Sequence, residues 1–154
     1  MALAKEKPLY AEPTDYEDDF ELWCYEQAEL LRQRRFAELD LPNIIEELEA
    51  LGREQRRALV SSYRVLIAHL LKWQFQPQLR SSSWEITINR ERDNIDDREK
   101  DNPSLAKDTK SIIEGVYRRS IREAARETEL PRSIFPFDCP YTVEQLRDPD
   151  WMPE

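Results

Sequence analysis

Glycine is nearly absent: Gly52 and Gly115 are the only two in 154 residues. Sheets joined by tight hairpins need residues at positive φ, so this scarcity argues for helices. With two glycines, neither a GxxxxGK[ST] loop nor a GxGxxG loop can be written, which excludes the common phosphate-cradling turns. Histidine occurs once, at His69, and cysteine twice, at Cys24 and Cys139, far apart and outside any CxxC pair. That is too few ligands for a structural zinc site. No HExxH occurs, and Leu66 stands three residues before His69, so the Glu-x-x-His pair of carboxylate-bridged metal sites is missing as well. No GxSxG elbow supports a serine hydrolase. The expectation is a chain without cofactor or metal.

Long apolar runs are also lacking. None approaches the roughly 20 residues of a bilayer span, and Met1–Lys7 has no apolar core of a signal peptide. A cytoplasmic location, no membrane contact and two reduced, buried thiols are therefore expected.

Charge, by contrast, is plentiful: 32 acidic and 23 basic side chains leave a net charge of −9. An acidic total disfavours nucleic acid as a default partner. The distribution is uneven, however. Residues 1–50 carry 5 basic and 14 acidic side chains, residues 51–80 carry 6 and 1, and residues 81–154 carry 12 and 17. The basic island has two readings. It pairs with the acidic first helix, or it forms an exposed anion-binding face through Arg53, Arg56, Arg57, Arg64 and Lys72.

Apolar residues recur at helical spacing along most of the chain. Thr14 to Glu17 matches a capping box and opens a helix over about 15–35, carrying Tyr16, Phe20, Trp23, Leu30 and Leu31. Asp40-Leu41-Pro42 starts a second helix that keeps its phase through Gly52 and runs to Phe75, where Pro77 stops it. Straight, it would be about 52 Å long, so either it bends near Gly52, the preferred reading, or the molecule is elongated. Val65 to Leu71 is apolar almost all round, as in the centre of a bundle. Ser82-Ser83-Trp84-Glu85 reads as a capping box for a third helix, and Asn102-Pro103 separates it from a fourth, from Leu105 to near Thr128. Five prolines and several aromatics follow, with Thr142 to Gln145 able to start one short helix. The fold predicted is all-α: a bundle of about four long helices with a Pro-rich, aromatic C-terminal tail packed on it. A flexible arm over 1–13 precedes a single helical domain over 14–154.

The chemistry-bearing cluster is His69, Trp73, Arg80 and Trp84. His69 and Trp73 are one helical turn apart, Arg80 lies in the following turn, and Trp84 starts the returning helix. Such a group can bind an anion or a planar ring, with His69 as acid or base. It can equally be an arginine stacked on an indole beside a hydrogen-bonded core histidine, locking a helical hairpin; this is the preferred reading. Glu46, Glu47 and Glu49 read as a solvated face or as partners of the Arg53–Arg57 group rather than a cation site, and Cys139 as a packing residue rather than a reactive thiol.

Tyr16-Glu17-Asp18-Asp19-Phe20 with Trp23, His69-Leu70-Leu71-Lys72-Trp73, Arg80-Ser81-x-Ser83-Trp84 and Cys139-Pro140-Tyr141-Thr142 stand in this order. In this the chain resembles the helical family, abundant in cyanobacteria, catalogued as domain of unknown function twenty-nine. The resemblance covers about residues 14–154. It implies an almost wholly helical fold, and it brings no assigned activity and no catalytic or binding residue. The function expected from the residues is that of a non-enzymatic helical interaction module with a protein partner or a second copy. The alternatives are nucleic-acid or anion binding through residues 53–80, and a small enzyme using His69.

Overall fold

The computed structural model describes residues 6–154; the start of the expected N-terminal arm, residues 1–5, lies outside them. Six α-helices follow in order: α1 (Phe20–Arg32), α2 (Leu41–Phe75), α3 (Ser82–Asp101), α4 (Pro103–Ala106), α5 (Thr109–Thr128) and α6 (Val143–Arg147). Single 3₁₀ turns stand at Phe36–Glu38, Pro77–Leu79 and Arg132–Ile134. No strand occurs among the described residues, so the all-α bundle is as expected. The chain divides into two compact units, the first ending at Gly52 and the second beginning at Arg53. Helix α2 belongs to both and runs unbroken through Gly52.

In the first unit, α1 starts five residues later than the Thr14 motif predicts. Asp19 is the cap, its carboxylate accepting from the Leu22 N–H at 3.0 Å. Thr14 is diverted, because its N–H and its hydroxyl both donate to the buried Glu26 carboxylate at 2.9 Å. An ionised acceptor taking two bonds outcompetes a lone capping contact. Trp23 is buried, its indole N–H donates to Asp40 at 3.1 Å, and Tyr16 meets its ring edge-on at 5.0 Å. From Glu6 onward the arm is irregular, and the Leu9 N–H donates to Glu38 at 2.9 Å.

The second unit is built round the apolar stretch of α2. Leu59, Tyr63, Leu66, Ile67, Leu70 and Leu71 are all fully buried, which is why that stretch carries no polar face. Facing them are Ile88 and Ile95 of α3 and Ile112, Val116 and Ala124 of α5. Helix α5 approaches α2 closely through Ser120, whose hydroxyl donates to the Arg64 carbonyl at 2.9 Å. The cap of α3 is Ser81 rather than Ser82, with its hydroxyl accepting from the Trp84 N–H at 3.3 Å. The predicted fourth helix is split, with α4 ending before Lys107 and α5 starting at Thr109.

The tail packs as expected. Phe135, Tyr141 and Leu146 are buried, and α6 opens with a full capping box between Thr142 and Gln145. Tyr117 donates to the Pro136 carbonyl at 2.7 Å and Tyr141 to Gln74 at 2.9 Å. Buried Arg92 donates to the Leu146 and Gln145 carbonyls at 3.0 and 3.1 Å, answering groups that a helix end leaves unpaired.

One carboxylate ties four elements together. Glu99 of α3 accepts from the Tyr63 hydroxyl of α2 at 2.6 Å and from Thr109 of α5 at 2.9 Å. Its second oxygen pairs with Arg147 of α6 at 2.9 Å, and Arg147 also donates to Thr109 at 3.0 Å. Removing that hub leaves the Tyr63 hydroxyl without its acceptor and Arg147 without its counter-charge, so Glu99→Ala is expected to cost on the order of 3 kcal/mol. A urea midpoint close to wild type would refute this. Gly52 makes the opposite case. It lies in a helix interior, and a Cβ built on it meets nothing within 4 Å. Gly52→Ala should therefore raise stability by about 0.5–1 kcal/mol, read as a higher melting temperature.

Candidate functional site

The four residues of the sequence cluster sit in two stacks. Arg80 lies over the Trp73 ring, 5.0 Å from its centroid, and donates through Nε to the Trp73 carbonyl at 2.9 Å. The second stack centres on Lys72, which the sequence reading assigns to an anion-binding face. Lys72 is instead only 3% exposed. Its ammonium pairs with Glu127, lies 4.9 Å from the Trp84 centroid and stands 3.3 Å from His69 Nε2. His69 Nδ1 lies 2.9 Å from the Val65 carbonyl, which can only accept. The proton therefore sits on Nδ1, and Nε2 accepts from Lys72. Both ring nitrogens are engaged, and neither is bonded to a carboxylate or thiol. Burial, the largest cause, holds the His69 pKa below its ordinary 6.5, and Lys72 adds to the effect.

Three of the five predicted anion-binding residues come together. Arg56, Arg57 and Arg64 of α2 line one side of an open groove of about 1170 Å³ in the second unit. The other side, which the sequence reading missed, is Arg119, Arg122 and Arg126 of α5 with Arg132 beyond it. Glu123 is the one carboxylate in that lining and pairs with Arg64, while Arg56 pairs with Asp108 at 2.7 Å. Arg53 is exposed on α2 and does not line the groove. The α5 signal was present as arginines at spacings of three and four, which share a helical face.

The first unit presents a different surface. Leu41, Ile45, Leu48 and Leu51 follow one another at spacings of four, three and three on α2, and all are at least half exposed, Leu48 at 64%. Glu47 borders this stripe on one side and accepts from the Tyr16 hydroxyl; Glu49 lies on the other. No group of three His, Cys, Asp or Glu among the described residues is placed to share a metal ion. Cys24 and Cys139 are both half-buried free thiols, and burial pushes the Cys139 pKa up. No helix among the described residues is long and apolar enough to cross a membrane.

The described residues thus form an all-helical fold with an exposed apolar stripe on its first unit and an arginine-lined groove in its second. The chain belongs to the family described as Domain of unknown function DUF29, which matches residues 16–152. No curated protein and no solved structure matches it.

The depressed His69 pKa has a measurable consequence. Above about pH 7.5 the imidazole is neutral in both folded and unfolded chains and contributes no pH dependence. Below it the unfolded chain takes up a proton that the folded chain resists, so stability falls with acid until the folded value is passed. The wild-type urea midpoint should drop between about pH 7.5 and 5.5, and His69→Gln should flatten that drop. An unchanged slope in the variant would show that His69 is not the group responsible.

Proposed function

We propose that this chain is a non-enzymatic interaction module, which docks a cationic amphipathic helix of a partner protein on the apolar stripe of its first unit. The observation that carries it is the run Leu41, Ile45, Leu48 and Leu51, each at least half in water. A monomer gains nothing from a continuous apolar helix face left in solvent, and such faces mark protein contacts. Charge selects the occupant. Residues 1–52 carry 14 acidic side chains against 5 basic ones, and glutamates border the stripe. A second copy would bring like charge to like charge, whereas lysines flanking a leucine face complement it. No observation favours the enzyme reading of His69 over this one.

The test uses an amphipathic helical peptide of leucine and lysine, fluorescently labelled, with Leu48→Glu as the diagnostic variant. That substitution removes apolar area and adds negative charge. If the peptide docks on the stripe, affinity should fall by tenfold or more; if it is held by charge alone, affinity should rise. A scrambled peptide of the same composition should bind weakly. Strengthened binding by the variant, or a wild-type dimer that Leu48→Glu disperses, would overturn the proposed occupant.

A further inference from the structure

Residues 53–154 hold 18 basic and 18 acidic side chains, yet the groove between α2 and α5 brings seven arginines to one carboxylate. With Arg56 and Arg64 paired, Arg57, Arg119, Arg122, Arg126 and Arg132 remain, and none of these five guanidinium groups has a hydrogen bond or ion pair among the described residues. Like charges gathered without counter-charge raise the local potential, and an anion lying among them relieves it. The total of −9 does not cancel this, because at physiological salt charges farther away than about 8 Å are largely screened.

The shape says what kind of anion. A groove of about 1170 Å³ is larger than the usual small-molecule site and open, so it suits a chain rather than a single phosphate. Along α5, Arg119, Arg122 and Arg126 make a row about 10 Å long. Nothing aromatic lines the groove itself. It adjoins a second hollow, of about 660 Å³, that shares Arg122 and Arg132 with it. There Phe137 is 75% exposed, more than any other large apolar side chain described. The Arg118 guanidinium lies over that ring, 4.8 Å from its centroid, and most of the side chain still stands in solvent. A row of cations leading to an exposed aromatic ring is the pairing that single strands use: phosphates follow the charges and an unstacked base lies on the ring. A duplex keeps its bases stacked inside, and a phosphate polymer has none.

We infer that the second unit binds a single-stranded nucleic acid, its phosphates along Arg119, Arg122 and Arg126 and a base on Phe137. This site is separate from the apolar stripe, and the two readings fail independently.

The experiment is fluorescence anisotropy of the full chain with a labelled 15-nucleotide oligothymidine, repeated across a salt series. A duplex of equal length and inorganic polyphosphate are the comparison probes. All four substituted side chains are exposed, and circular dichroism checks that the variants fold. The triple variant Arg119→Gln, Arg122→Gln, Arg126→Gln should weaken binding and lower the slope of log affinity against log salt by about 2. Phe137→Ala should weaken strand binding about tenfold at every salt concentration, leave the slope unchanged, and leave polyphosphate binding as it was. No binding of the strand at low salt would overturn the inference, and so would indifference to the triple variant. A duplex bound as tightly as the strand, with Phe137→Ala without effect, would make the groove a backbone-only site and overturn the single-strand assignment.

Discussion

The largely buried carboxylate of Glu99 is the constraint on which the second unit depends. It holds Tyr63, Thr109 and Arg147 at once, from α2, α5 and α6. Tyr63 is the widest side chain in the fully buried stretch of α2, and its hydroxyl needs an acceptor inside the bundle. Burial and the Glu99 charge both push that phenol's pKa up, which keeps it a donor. Helix α6 has five residues, too few to persist without tertiary contacts. Arg147 anchors it from one direction and Arg92 from another, so the tail's placement follows from polar bonds as much as from Phe135, Tyr141 and Leu146.

What could be read in advance followed from period, and what could not followed from competition. The limits of α2 were legible because an apolar run, an early Pro42 and a terminating Pro77 agree with one another. The start of α1 was not, because a capping motif is a local statement while Glu26 reaches Thr14 from twelve residues on. Ser81 and Ser82 differ by one position, and only the bond to the Trp84 N–H decides between them. The stacking of an arginine on an indole was legible, although its ring was not. Lys72 failed as a surface residue because its partner, Glu127, lies 55 positions away in sequence.

The basic island illustrates how averaging hides a surface. Half of the groove stood out because residues 51–80 contain one acid. The other half sits on α5 among Glu114, Glu123 and Glu127, inside a stretch with an acidic total. Glu114 and Glu127 do not line the groove, since neighbours in sequence are not neighbours on a face, and Glu123, which does, is taken up by Arg64. Net charge constrains behaviour at long range and says little about a row of arginines about 10 Å long.

Helix α5 stops at Glu129, whose backbone adopts the left-handed conformation at φ 59°. A residue with a Cβ prefers not to be there, by roughly 1–2 kcal/mol, and glycine is the usual occupant of such a stop. The reversal sends the chain through Leu130 and Pro131 back along the helix it has just left. Arg132 thereby reaches the arginines of α5, and Phe137 comes to rest under Arg118. A modest backbone cost at one residue thus sets the heading of everything after it, and a glycine there would exchange a fixed heading for a looser one.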